Sequence, residues 1–161
     1  NKYCVLLSHH PSPTLVNDFA PTGFPRRVIR DELLAELYKH KNLIAWIAGH
    51  VHRHASGFHT RQDGSTFLEL TTASHIDWPQ QSRVIEIVKE KDGLAIGSTV
   101  IDHSGHIQWQ GKEIDYLAMA GISRSLALND WQRRDDFNPV LARQGNKEDR
   151  NVVWRVSDPF S

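Results

Sequence analysis

The sequence predicts an α/β domain in which a parallel crossover unit is followed by antiparallel hairpins. Two apolar runs, Tyr3–Leu7 and Leu43–Ala48, have the length and composition of buried strands. Between them, apolar residues recur at helical spacing over about residues 30 to 41. Later in the chain, Asp63-Gly64 and Asp92-Gly93 each lie between two strand-like segments, which is a strong hairpin signal.

The first strand carries its apolar residues without interruption, so we expect it to be covered on both faces, with Cys4 buried within it. It ends at Ser8-His9-His10-Pro11, because a proline cannot continue a strand ladder. Residues 11–26 contain four prolines and one glycine. This composition predicts a long ordered loop, and loops of that length are often functional.

The helix at 30–41 begins with Asp31 and Glu32, acidic residues that favour a helix N-terminus. Because strand, helix and strand follow one another, we expect the first two strands to be parallel. The second strand ends at Gly49-His50-Val51-His52. On extended backbone, the spacing of His50 and His52 places both imidazoles on one side.

The chain after residue 52 predicts antiparallel hairpins, one amphipathic helix and a polar tail. We divide the whole chain into a main domain, residues 1–128, and an irregular C-terminal extension, residues 129–161. Within the extension, Val152–Trp154 is a candidate strand. The charged run Arg133–Asp136 predicts a solvated face. The predicted strands are 58–60, 66–71, 83–90 and 94–101, with a loop at 71–79 and a helix at 114–126.

Composition narrows the class of protein. The 161 residues suit one domain, and Lys+Arg and Asp+Glu both number 19, so no basic footprint for nucleic acid or anionic membrane is present. The single cysteine rules out a disulfide within the chain, and no segment resembles a signal peptide or a membrane span. The chain enters a strand directly after Asn1, so we expect it to be a piece of a longer protein, and its compartment stays open.

Histidines follow both buried strands: His9 and His10 after the first, His50 and His52 after the second. In parallel sheets, ligand sites gather beyond the carboxyl ends of the strands. Three converging imidazoles suit a transition metal, and zinc, manganese and iron all accept them. The sequence therefore predicts a metal site at this edge of the sheet.

Ser8-His9-His10-Pro11 and Gly49-His50-Val51-His52, in this order, resemble the two C-terminal signature blocks of the calcineurin-like metallophosphoesterases. The resemblance covers about residues 3–101, and the sequence of residues 73–81 is similar to that of a bacterial branch of the family. It implies the C-terminal half of a two-sheet αββα sandwich that hydrolyses phosphate esters with two divalent ions (Mn, Fe or Zn). It also implies that His9, His50 and His52 are metal ligands, the last two on different ions. For His10 a place in the substrate cavity and a structural hydrogen bond are both open.

The N-terminal blocks of that family (Asp-x-His, Gly-Asp-x-x-Asp and Gly-Asn-His-Asp or Glu) are absent from these residues. The family's bridging aspartate and its proton-donating histidine belong to those blocks. We therefore expect no catalytic residue in this chain, no hydrolysis by it alone, and a missing N-terminal half of the same protein as its partner. The expected substrate is a phosphate monoester or diester.

Two other functions are open. The chain is a non-catalytic metal-binding or interaction module if the acidic ligands are missing altogether. His50-x-His52-x-His54 also resembles the alternating histidines of the histidine-triad nucleotide hydrolases, although Arg53 breaks the apolar spacing of that motif. The group Asp102-His103-Ser104-Gly105-His106 follows a hairpin strand, which predicts a solvated loop.

Overall fold

The computed structural model describes residues 2–130 and 138–161, which form a mixed α/β fold. The helices are α1 (Arg30–Leu37), α2 (Tyr116–Leu128) and α3 (Pro139–Gln144), with short 3₁₀ turns at Ser12–Thr14 and Lys147–Asp149. The strands are β1 (Cys4–Leu7), β2 (Leu43–Ala48), β3 (Ala55–Thr60), β4 (Thr66–Thr71), β5 (Gln81–Glu90), β6 (Gly93–Asp102), β7 (Ile107–Trp109), β8 (Lys112–Ile114) and β9 (Val152–Val156).

The first sheet has the strand order β1-β2-β4-β3. β1 and β2 are parallel, which confirms the predicted crossover unit, and α1 connects them. β4 pairs with β2 in parallel and with β3 in antiparallel fashion. The hairpin around Asp63-Gly64 is thus confirmed, but its second strand rather than its first lies beside β2.

The two faces of this sheet are covered differently. On one face α1 packs against β2 and β4 through Leu34, Trp46 and Phe67, which are almost completely buried. On the other face the second sheet covers it. β2 is therefore enclosed on both sides, and this is why its sequence is an unbroken apolar run.

The second sheet has the order β5-β6-β9, with all neighbours antiparallel. The hairpin around Asp92-Gly93 and the predicted strand at Val152–Trp154 are both confirmed. The core between the sheets is one continuous apolar cluster. Its buried members are Ile44, Ala45, Leu68, Leu70, Leu94, Ile96 and Val156.

The C-terminal segment is not irregular where the structure describes it. Residues 138–161 contain α3, a 3₁₀ turn and β9, and the side chain of Val156 belongs to the core between the sheets. The polar composition of the segment does not reveal this role, because β9 alternates exposed residues with partly or fully buried ones and contributes only one face to the core. The charged run Arg133–Asp136 lies outside the described residues.

β1 is not covered on both faces, contrary to the sequence prediction. It is the edge strand of its sheet, the thiol-bearing Cys4 is exposed, and Leu7 is 71% exposed. Phe19 and Phe24, in the loop that follows β1, are exposed as well. Apolar sequence alone does not separate an edge strand from a central one, and here it overestimates burial.

The positions of α1 and α2 agree with the sequence to within a few residues, whereas α3 was not predicted. α1 ends at Leu37 rather than near 41, and α2 begins after Asp115, whose side chain caps it by accepting from the Ala118 backbone amide. The hairpin of β7 and β8 was not predicted. Among the described residues, no helix is both long and apolar enough to cross a membrane.

Candidate metal centre

Three histidines meet at the carboxyl ends of β1 and β2. His9, His10 and His50 each offer a ring nitrogen, and these atoms all lie within 4.8 Å of one another. His50 Nδ1 is 3.2 Å from His9 Nε2, and the ring centroids of His10 and His50 are 3.8 Å apart. All three side chains are exposed, so the cluster is open to a ligand from solution.

The parallel pairing of β1 and β2 brings these histidines together. The Ser8 amide donates to the Ile47 carbonyl at 3.1 Å, and the Gly49 amide donates to the His9 carbonyl at 3.0 Å. Backbone hydrogen bonds thus continue past both strand ends and carry His9 to the level of His50. His50 itself has a φ of 64°, a left-handed conformation that is uncommon for a residue with a side chain. Strained backbone of this kind is frequent at functional sites.

Ser8 fixes the backbone of the histidine pair from the strand side. Its hydroxyl accepts a hydrogen bond from the Trp46 indole at 2.7 Å and donates one to the His10 carbonyl at 2.7 Å. Trp46 is 1% exposed and belongs to the core beneath α1. The position of His10 is therefore tied to the rigid core of the sheet.

Glu69 fixes the backbone of the loop that follows His9 and His10. Its carboxylate accepts from the Ser12 amide at 2.6 Å and the Ser12 hydroxyl at 2.7 Å, and His59 Nε2 lies 2.6 Å from it. Burial alone would raise the pKa of Glu69, but the hydrogen bonds from His59 and Ser12 outweigh it and hold the pKa below its ordinary value. The carboxylate thus stays ionised and anchors the loop two residues after His10.

We expect Glu69→Gln to destabilise the fold by about 1–3 kcal/mol at pH 7, because a neutral amide replaces the charged acceptor of buried hydrogen bonds. Urea unfolding measures the change. Glu90→Gln is the control, since Glu90 is an exposed partner of Arg155 and exposed pairs contribute about 0–1 kcal/mol. Equal effects of the two substitutions would contradict the anchoring role of Glu69.

His52 does not lie where the sequence places it. Its φ of 52° and the φ of 64° at His50 are left-handed, so residues 50–52 do not form the extended backbone that the prediction assumed. His52 Nδ1 instead lies 2.8 Å from Asp77 Oδ2. Among the described residues, the close group contains His9, His10 and His50. His9 and His50, two of the three predicted ligands, thus lie in one group together with His10, and His52, which the resemblance assigns to a different ion from His50, lies outside it.

One nitrogen–nitrogen distance in the cluster is compatible with a shared divalent metal ion. With metal–nitrogen bonds of about 2.0–2.1 Å, tetrahedral ligand atoms lie roughly 3.3–3.4 Å apart. The 3.2 Å between His50 Nδ1 and His9 Nε2 is close to that spacing. Neutral imidazoles suit zinc, manganese and iron, as the sequence predicts. Within the described residues no carboxylate joins this group, so its donors supply no negative charge.

His54, the next alternating histidine, has a structural environment. It is 1% exposed, its Nδ1 accepts from Arg83 at 2.9 Å, and its Nε2 lies 3.1 Å from Gln81 Oε1. Burial, followed by the charge of Arg83, lowers the pKa of His54 to about 4, so it is neutral at pH 7. His52 and His54 thus form hydrogen bonds with different partners, with Asp77 for the first and with Gln81 and Arg83 for the second.

The histidines of the group Asp102-His103-Ser104-Gly105-His106 lie in a coil. Residues 103–106 connect β6 to β7, and Ser104, Gly105 and His106 are exposed, as the sequence predicts for a solvated loop. His106 Nδ1 is 2.9 Å from the Glu113 carboxylate across the β7–β8 hairpin. His103 does not belong to the close group of His9, His10 and His50 and therefore provides a control histidine.

A cavity of about 410 Å³ lies beside the two segments that follow the histidines of the cluster. Pro11 and Val51, the residues that follow His10 and His50, line it together with Arg53 and Glu69. Its volume lies in the range of small-molecule sites. The sequence does not reveal this cavity, because its walls come from three segments that lie far apart in the chain.

Fold and site together define an α/β protein with a candidate three-histidine metal centre at a parallel strand pair. No family model matches the chain, and no curated protein matches it significantly.

Proposed function

We propose that this chain belongs to a metal-dependent phosphoric ester hydrolase, as the C-terminal half of a calcineurin-like metallophosphoesterase with a two-sheet αββα sandwich. The observation that carries the proposal is the approach of His9 and His50 to 3.2 Å at the ends of two parallel neighbouring strands. Two sheets packed around one apolar core, with α1 on the outer face of the first, also support it.

In this proposal His9, His10 and His50 hold one divalent ion and His52 contributes to a second. Divalent ions bound there supply Lewis acidity toward a phosphoryl oxygen. The chain's own part is to fix the backbone that carries these histidines, through Ser8 and through Glu69. In this proposal His10 is a ligand, because one of its ring nitrogens belongs to the close group. Its Nδ1 also lies 3.3 Å from Thr14 Oγ1, which is the structural hydrogen bond that the sequence left open.

The charge of the donor set implies a partner. Two dications about 3.5–4 Å apart repel each other strongly unless anionic ligands bridge them. Neutral imidazoles offer no such offset, so the proposal needs carboxylates from an N-terminal half that carries Asp-x-His and Gly-Asn-His. Residues 1–161 alone then bind one ion and hydrolyse no ester.

The test is hydrolysis of bis(4-nitrophenyl) phosphate and 4-nitrophenyl phosphate by the full gene product that contains residues 1–161, with Mn²⁺. We expect His50→Ala to lower the rate by more than about 100-fold, since even outer contacts of metal ligands are worth about 10–100-fold. His103→Ala, the control in the exposed coil, should leave the rate unchanged. Hydrolysis that survives both chelation and His50→Ala would contradict the proposal.

The second candidate is a non-catalytic metal-binding module. The all-imidazole donor set favours it, because one ion needs no bridging carboxylate. This candidate predicts metal binding that depends on His50 with no hydrolysis of either ester by the full gene product. Metal binding and ester hydrolysis, both measured on the full gene product and its His50→Ala variant, therefore separate the two functions.

A further inference from the structure

The hydrogen bond between His52 and Asp77 determines which nitrogen of His52 is free to bind a ligand. Asp77 lies in the loop between β4 and β5, and its Oδ2 is 2.8 Å from His52 Nδ1. An ionised carboxylate only accepts hydrogen bonds, so Nδ1 must carry the proton. The lone pair of the neutral ring then lies on Nε2.

Asp77 is in turn held by Arg143, the last basic residue of α3. The Arg143 guanidinium donates to Asp77 Oδ2 at 3.3 Å and also forms an ion pair with Asp130. Its side chain is only 4% exposed. Because a guanidinium stays charged, its burial requires these carboxylates to remain in place beside it.

The end of α3 also contacts the chain that carries His52. The His54 amide donates to the Arg143 carbonyl at 3.0 Å, and Gly145, with φ +71°, lies so close to the His54 carbonyl that a Cβ would not fit. On the other side, the Trp78 indole donates to the Val140 carbonyl at 3.1 Å. One short helix therefore holds both the His52 segment and the Asp77 loop and sets their separation.

We propose that Asp77 and Arg143 are positioning residues that lock His52 in its Nδ1–H tautomer, so that Nε2 is its metal-binding atom. This inference rests on the proposed function, in which His52 binds the second ion. The physical basis is general: a metal-binding imidazole nearly always donates its other N–H to a carboxylate or carbonyl, which fixes the ring and raises its basicity. It also gives the C-terminal segment a role at the site, through α3.

The first measurement is long-range ¹⁵N–¹H NMR of the histidine rings in metal-free full gene product at pH 8. We expect an Nδ1–H ring at His52 in the wild type. In Asp77→Ala the ring should shift toward the Nε2–H form that free histidine prefers. Arg143→Gln should shift it part of the way, and Arg143→Lys should restore it in part. The matched control is the exposed pair Glu90 and Arg155, for which Glu90→Gln and Arg155→Gln should leave the ring unchanged.

The second measurement is a Zn²⁺ titration followed at the His52 Nε2 resonance. Asp77→Ala should require about 10–100-fold more Zn²⁺ to move this resonance than the wild type does. The wild-type spectrum decides the tautomer even if a variant does not fold. Zn²⁺ binding by a wild type whose His52 is the Nε2–H form would overturn the positioning role and leave the proposed function intact. An unchanged Zn²⁺ requirement in folded Asp77→Ala would also overturn it. Absence of Zn²⁺ binding by the wild type would overturn both.

Discussion

Replacing His50 with alanine is expected to weaken Zn²⁺ binding by residues 1–161 by more than about 100-fold, as measured by isothermal titration calorimetry. His50 is central to the cluster, since its ring lies against that of His10 and its Nδ1 is 3.2 Å from His9 Nε2. Its loss removes a ligand outright, whereas loss of outer contacts alone costs about 10–100-fold. The remaining two imidazoles should leave at most weak binding.

Three further alanine variants test which histidines belong to the ligand set. His10→Ala should weaken binding as His50→Ala does, because His10 belongs to the same close group. His52→Ala and His103→Ala should leave the affinity of this chain unchanged, since both lie outside that group. If His52→Ala weakens binding as much as His50→Ala while His10→Ala has no effect, the ligand set predicted from sequence is the correct one.

The crossover unit and the hairpins follow from sequence because local signals determine them. The apolar run at Leu43–Ala48, the helical spacing before it and the two Asp-Gly turns each act over a few residues. The order of strands in the first sheet depends on packing between distant segments. This is why the place of β4 between β2 and β3 was not predicted.

The candidate site, like the fold, was predictable from the sequence only in part. His9 and His50 follow the ends of neighbouring parallel strands, and topology alone brings them together. The expectation that His50 and His52 present their imidazoles on one side relied on extended backbone, which the left-handed conformations of both residues break. The partners Asp77 and Arg143 lie 25 and 91 residues from His52, and no periodicity connects segments that far apart. Only the folded chain identifies them.

In the presence of a chelator, the free energy of unfolding is expected to fall by on the order of 3 kcal/mol as pH decreases from 6.5 to about 4. The cause is His54, whose burial, together with the charge of Arg83, lowers its pKa to about 4 in the folded state. Between its unfolded and folded pKa values the unfolded chain binds a proton that the native chain does not. Stability therefore rises with pH through this window and is complete above pH 6.5.

Urea unfolding at several pH values between 4 and 7.5 measures this dependence. His54→Gln removes the titrating group, so its stability at pH 7 should be lower but its slope below pH 6.5 flatter than in the wild type. His103→Gln, the same substitution in the exposed coil, should keep the wild-type slope. Glu69 also lowers the free energy of unfolding as pH falls, but at a lower pH than His54 does. Its pKa is held below the ordinary value, so its contribution is lost only when the carboxylate protonates. An identical slope in His54→Gln and the wild type between pH 6.5 and 5 would show that His54 is not buried as a neutral ring.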